Sequence, residues 1–428
     1  MRGAGTGLGR RYLFWPVYVL LLLGMTLLGA EAVSSFLVPP WPARDIRPIP
    51  AHLLQRNLAE AFGDRPDLVP VFNDWALRDR QRTFARPPDV RFRSVLVGDS
   101  FLEGFFMPAP LSAFVERRWA NAGYTDMEAI NFGVSATGPI QYYYRIRDVA
   151  LDLKPDAIVL MVYAGNDFIS TPFGALLPPL INELPVPSVL GAVAPRTTWL
   201  AVNRLGLSEV GRGNRGIAGE FALLNGFLQL PPQERLDRVV GHLKQHYFPS
   251  VSEEMLREIL SRGGDRYWTA FEKRQQDPEF IAGWMLYGLV DWETGQWKMP
   301  RDAEEADRLE GKRMVDETLG WLVAAGRLAR ENGVPLIVAL APVGTVDPAY
   351  VDFWRSWPKY FSSSLSADAR HRHLAVALRQ TGLPFIDLRD DLAGVAGTYR
   401  LSDGHWTERG SEIVAARVAR ELLKMRRD

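Results

Sequence analysis

The sequence predicts an α/β protein in three layers, with a central parallel sheet of about five strands between two helical layers. Three observations lead there. Five short runs, Ser94–Val97, Ala129–Phe132, Ala157–Val162, Leu336–Ala341 and Pro384–Leu388, are apolar or nearly so without alternation, which indicates burial on both faces. Between them apolar residues recur at helical spacing, as in Val315, Leu319, Leu322, Gly326 and Ala329, a stretch closed by Asn332-Gly333. Strand and helix in repetition point to a parallel sheet covered on both sides, and the polar blocks that follow the strands fall where such sheets place their sites, beyond the carboxyl ends.

Taken in chain order, Tyr12 to Ala30 is almost wholly apolar, preceded by Arg2, Arg10 and Arg11 and by no acidic residue. A helix needs about 20 such residues to cross a bilayer. The arginine flank puts the N-terminus in the cytoplasm and everything after residue 31 outside it, which is the periplasm in a Gram-negative bacterium. Ala30-Glu31-Ala32 also has the small-x-small form of a signal-peptide cleavage site, and on that alternative the protein is secreted. Residues 1–33 are therefore read as a cytoplasmic tip with a transmembrane anchor or signal peptide, and 34–92 as a spacer and approach segment. Within the latter, Pro39, Pro40, Pro42, Pro48 and Pro50 favour extended chain, 52–62 reads as a short helix, and Asp74 to Arg86 is a polar, arginine-rich run.

Residues 93–170 and 303–428 carry the strand and helix rhythm, and 171–302 interrupts it between the third and fourth strands. This insertion is helical and aromatic, with Tyr267, Trp268, Phe271, Trp284, Tyr287, Trp292 and Trp297, and has proline-rich turns at 178–187. Aromatic residues at such spacing form the core of a helical subdomain more often than a platform for sugar rings, so the core reading is preferred.

Composition narrows the function. Lys plus Arg and Asp plus Glu both number 50, so no global field recruits nucleic acid. Cysteine is absent, which excludes disulfides, thiol catalysis and cysteine-ligated zinc. The six histidines show no metal-ligand spacing, and no metal or cofactor is called for. His52, His242, His246, His371 and His373 sit in polar stretches and are expected to face solvent.

Four blocks carry the chemistry. Val97-Gly98-Asp99-Ser100-Phe101-Leu102 sets a serine where a strand turns into a helix. Asn131-Phe132-Gly133-Val134-Ser135-Ala136 and Tyr163-Ala164-Gly165-Asn166-Asp167 end the next two strands, and Ser402-Asp403-Gly404-His405-Trp406-Thr407 precedes the last helix. A serine needs a base, an orienting carboxylate and donors for a developing oxyanion before it becomes a nucleophile, and these blocks hold each type. In this order they resemble the SGNH/GDSL hydrolase superfamily over about half of the chain, near 90–170 and 330–428. The resemblance implies a flavodoxin-like α/β/α fold with Ser100 as nucleophile, His405 as base and Asp403 as its orienter. It further implies oxyanion donors at the Ser100 amide, the Ala136 amide and the Asn166 side chain.

Two departures from the family pattern stand out. Ala136 occupies a position usually held by glycine, and its amide donates there provided the turn needs no positive φ. Asp403 and His405 are separated by one residue rather than two, and Asp-x-His-Trp-Thr looks more like the polysaccharide O-acetyltransferase relatives of the superfamily. Asp99 and Asp167 are read as caps or tethers, Glu103 has no assigned role, and Thr407 with Glu408 starts the final helix. The resulting expectation is an extracytoplasmic serine acyl-hydrolase or acyltransferase acting on O-acyl, above all acetyl, esters of a polysaccharide, tethered by its N-terminal helix. The rivals are a lipid or lysophospholipid esterase and a non-catalytic glycan-binding or assembly protein on a degenerate scaffold.

Overall fold

A computed structural model describes residues 7–38, 51–61, 65–104, 106–168, 193–205, 216–274, 283–294, 300–310, 312–401 and 404–426. The chain forms two units, one made of residues 1–46 and 185–211 and the other of 47–184 and 212–428. In the first, helix α1 (Gly7–Leu37) holds an apolar stretch from Phe14 to Leu37, with mean hydropathy 1.9 and nearly all of its surface uncovered by protein. Near its end Glu31 accepts hydrogen bonds from the Arg196 and Thr197 amides at 3.0 and 2.9 Å and from the Thr197 hydroxyl at 2.9 Å. Ser34 and Thr197 share a further hydroxyl contact at 3.2 Å. Glu31 thereby satisfies the orphan amides of the helix Pro195–Asn203, whose own N-cap residue offers no side-chain acceptor.

The second unit is built on five parallel strands in the order β2-β1-β3-β4-β5. They are β1 (Phe92–Gly98), β2 (Met127–Gly133), β3 (Ala157–Tyr163), β4 (Leu336–Ala341) and β5 (Phe385–Asp387). All positions of β1, β2 and β4 are buried, as their largely apolar runs without alternation predict. β1 and β2 begin two residues earlier than hydropathy places them. Arg93 hides the start of β1, because its guanidinium is fully buried and donates to Glu128 of β2 in the paired register. The arginine-rich approach segment works the same way: buried Arg82 donates to Asp79 at 2.8 Å, Glu116 at 2.7 Å and the Ala129 carbonyl at 2.7 Å, all on this edge of the sheet.

After the turn α2 (Ser100–Glu103), helix α3 (Leu111–Asn121) covers one face of the sheet, and α4 (Pro139–Arg145) begins the layer on the other. The insertion contributes α5 (Glu253–Arg274) and α6 (Gly283–Thr294). Tyr267, Trp268, Phe271 and Tyr287 are buried there as core, continuous with Tyr350, Trp354 and Trp357, while Trp292 is half-buried. The Trp284 side chain, Trp297, the proline turns at 178–187 and the proline spacer at 39–50 lie outside the described residues. Helices α7 (Lys312–Glu331) and α8 (Pro358–Thr381) complete the α4 layer, and α9 (Glu408–Leu423) packs beside α3, where Trp119 donates its indole N–H to the Ala419 carbonyl at 3.2 Å.

Among the described residues His242 and His371 depart from expectation; the His242 ring packs against Phe227, His246 and Tyr247. His371, on α8, is fully buried: its Nε2 lies 2.8 Å from Asp387 at the end of β5 and its Nδ1 3.3 Å from the Ala341 carbonyl at the end of β4. Its polar sequence neighbours reflect the ion pairs of α8, not water, because Asp368 and Arg372 pair with each other and Arg370 pairs with Glu310.

Candidate active site

The strand order reverses at β1: the chain steps to β2 on one side and returns to β3 on the other. A crevice opens beyond the carboxyl ends at such a switch point. The loops after β1, β2 and β3 all start there, and they carry Ser100, Ala136 and Asn166.

Asp99 caps the turn after β1, its Oδ1 accepting the Phe101 amide at 3.0 Å, and so directs Ser100 into the crevice. The Ser100 hydroxyl lies 2.7 Å from His405 Nε2 although the two residues are 305 positions apart. The loop carrying His405 is held from several sides. A short hairpin pairs Tyr399 with Trp406, with the Arg400 amide donating to the His405 carbonyl at 2.8 Å. Below it the buried Asp347 carboxylate accepts the amides of Ala349, Gly397, Thr398 and Tyr399 at 2.8, 3.1, 2.7 and 2.9 Å. Beyond it Thr407 caps α9, accepting the Gly410 amide at 3.2 Å. The ring of Phe101 lies against His405, Trp406 and Tyr163, with centroids 4.8, 4.7 and 4.1 Å away. Ser402 and Asp403, the latter read as the orienter of His405, lie outside the described residues.

The second block differs from expectation in its backbone. Ala136 adopts φ of 60°, the left-handed conformation that glycine enters at no steric cost and alanine does not. Glu103, which sequence reasoning left without a role, holds the neighbouring residue: its buried carboxylate accepts the Ser135 amide at 2.7 Å and the Ser135 hydroxyl as well. The turn behind Ser100 is therefore tied to the loop carrying Ala136. Gly133 brings the two together, since a Cβ there would stand 2.3 Å from the Glu103 backbone nitrogen.

In the third block the Asn166 side-chain amide donates to Asp99, while its Oδ1 is buried without a hydrogen-bond partner among the described residues. Asp167 accepts the Tyr163 amide at 2.8 Å and lies 2.8 Å from the Tyr142 hydroxyl, which in turn lies 3.0 Å from the Thr137 carbonyl. Burial pushes the Asp99 carboxyl up to about 6, opposed by the Phe101 amide, the charge of His405 and the Asn166 amide. Burial, reinforced by Asp99, pushes Asp167 well above the ordinary carboxylate range. The Tyr142 hydroxyl carries one proton, which it donates to Asp167 or to the Thr137 carbonyl. Tyr142 is itself raised well above its usual value, first by burial and then by the two carboxylates.

No protein-family model matches this sequence. No curated protein matches it either. Among solved structures it is similar to a GDSL-like lipase from Bacteroides thetaiotaomicron, at 12% identity over 79% of this chain and 92% of that one, with a TM-score of 0.33. It is also similar to the lipase/acylhydrolase from Enterococcus faecalis, at 12% identity over 77% and 95% of the two chains, with a TM-score of 0.31. At this distance the chemistry has to be read from the site itself.

Sequence reasoning missed Glu103, Tyr142, Asp347 and Arg400. Asp347-Pro348 does read as a helix start, with an N-cap aspartate and proline at the first helical position. No local signal shows that the same carboxylate also gathers three amides from the loop before His405. Buried Arg400 donates to the Trp406 carbonyl at 3.0 Å and to the Phe106 carbonyl, so it joins the histidine loop to the chain after the nucleophile.

Proposed function

We propose that this chain is a serine acyl-hydrolase or acyltransferase of the SGNH kind, forming an acyl-enzyme at Ser100. The 2.7 Å approach of Ser100 Oγ to His405 Nε2 carries the reading, because a hydroxyl becomes nucleophilic when a base stands within proton-sharing reach. Ser100 Oγ attacks the ester carbonyl as its proton passes to His405. The oxyanion that forms meets the Ser100 and Ala136 amides and the second N–H of Asn166. Collapse of this intermediate expels the alcohol, which takes the proton from His405. Water or a sugar hydroxyl then attacks the acyl-enzyme with His405 again as base, and Ser100 is regenerated. Asp403 is assigned the orientation of the imidazole.

The proposed substrate is an O-acyl ester, above all an acetyl ester, on a polysaccharide. A polar cavity in the insertion supports a glycan over a lipid. It has a volume of about 300 Å³ and is lined by Trp268 with Arg235, Asp265 and Glu272. The proposed location is extracytoplasmic, with α1 as a retained anchor. Cleavage after Ala32 would remove Glu31 and leave the amides of Arg196 and Thr197 without their acceptor.

Ser100→Ala tests the chemistry. The variant should lose p-nitrophenyl acetate hydrolysis by on the order of 10³-fold or more and lose labelling by a fluorophosphonate. Hydrolysis at the parental rate would remove the catalytic reading and favour a binding scaffold. Acetate release measured against acetyl transfer on a panel of acetylated polysaccharides identifies the acceptor.

A further inference from the structure

The cavity between α5, α6 and the start of α8 has a volume of about 340 Å³, at the lower end of the roughly 300–1,000 Å³ typical of small-molecule sites. Its charges are unevenly matched. Lys359 is buried and paired with Asp291, and Arg262 at the rim is paired with Glu293 at 3.4 Å. Arg266 makes no ion pair among the described residues, and its guanidinium lies over the buried Trp357 ring, 4.6 Å from the centroid. That stacking fixes the guanidinium plane while leaving its edge N–H groups to a ligand. Trp292 lines the same cavity, is half-buried, and makes no aromatic ring contact among the described residues.

The cavity is a built feature of the helix packing. Gly288 lets α6 approach α8, since a Cβ there would stand 2.4 Å from the Tyr360 ring. Tyr360 lies 5.2 Å from Trp354, Trp354 lies 5.9 Å from Tyr350, and the Tyr350 hydroxyl is 3.4 Å from where a Cβ on Gly404 would be. A continuous aromatic wall therefore runs from this cavity to the loop that carries His405.

We infer that this cavity is a ligand site for a six-membered ring bearing one carboxylate, the ring lying on Trp292 and the carboxylate on Arg266. A half-buried indole and a stacked, ion-pair-free guanidinium lining one cavity select this chemistry. A neutral ring leaves Arg266 unmatched, and an acyclic anion leaves Trp292 uncovered. A hexuronic acid unit and a small aromatic acid both meet the description. The inference goes beyond the proposed ester chemistry and stands or falls without it.

The test is titration of the full-length chain in detergent micelles with D-glucuronate, D-glucose and benzoate, followed by calorimetry and tryptophan fluorescence. Saturable binding of glucuronate or benzoate without binding of glucose is expected, and the tighter of the two anions identifies a sugar or an aromatic source. Arg266→Met, which keeps an apolar stem on Trp357, should weaken that binding at least about tenfold, and Arg266→Lys should restore part of it. Trp292→Ala should abolish the fluorescence response. Hydrolysis of p-nitrophenyl acetate should be unchanged in all three variants, which separates this site from Ser100. Binding of glucose as tight as that of the anions, no binding of any of the three, or anion binding indifferent to Arg266→Met would overturn the inference.

Discussion

Asp99→Asn is expected to make the protein more stable and slower at pH 8. Burial raises the Asp99 carboxyl from 3.8 to about 6, a shift of about 2 units, and at 1.36 kcal/mol per unit its ionised form costs the fold about 3 kcal/mol. The sign follows from the proton count. The folded state binds this proton more tightly than the unfolded chain, so the associated stability is fully present below about pH 4 and is lost as pH rises through about 6. Asparagine stays neutral throughout and keeps an oxygen for the Phe101 amide. Its own amide would face the Asn166 donor, and that lost hydrogen bond subtracts about 1 kcal/mol, leaving a net gain of about 2 kcal/mol at pH 8. Urea unfolding midpoints of both proteins at several values between pH 4 and 8 measure the difference directly. The variant should gain on the parent steadily between pH 4 and 6 and hold that advantage above. Activity should move the other way, because the Asp99 charge acts on His405, and kcat/KM at pH 8 should fall by about tenfold. A stability difference that does not change with pH would refute the claim that this carboxylate is desolvated in the fold.

Three further outcomes follow from the same geometry. Ala136→Gly relieves a left-handed alanine, worth about 1–2 kcal/mol, against the added freedom of the unfolded chain, worth about 0.4–1 kcal/mol; a higher melting temperature with p-nitrophenyl acetate hydrolysis preserved is expected, and a lower one would mean the turn does not require positive φ. Gly133→Ala pushes a methyl group into the backbone at Glu103 and should cost about 2 kcal/mol or more, read as a lower urea midpoint; unchanged stability would show that α2 can move away. Glu31→Gln weakens the acceptor at the start of the helix Pro195–Asn203, so hydrogen exchange at the Arg196 and Thr197 amides should accelerate by several-fold, consistent with about 0.5–2 kcal/mol for a cap. Exchange equal to that of the parent protein would show that Glu31 does not hold that helix.

What the sequence by itself determined is the part of the molecule written in short range. Unbroken apolar runs such as Leu336–Ala341 can only be strands buried on both faces, and β4 occupies the residues that pattern marks. Thr407 with Glu408 declares a helix start because capping is a local affair of three or four residues. Tertiary structure decided what depends on partners far along the chain. It buried Arg93 against Glu128 of the neighbouring strand, and His371 of α8 against Asp387 at the end of β5, partners that no local pattern announces. It gave Glu103 the task of holding the Ser135 loop and Asp347 that of gathering the chain before His405. It also set Ala136 at positive φ, because hydrogen bonds from distant elements dictate that turn against the preference of the residue that fills it. A buried carboxylate or guanidinium is stable only where its partners converge, and that convergence is a property of the fold that no window of neighbouring residues contains.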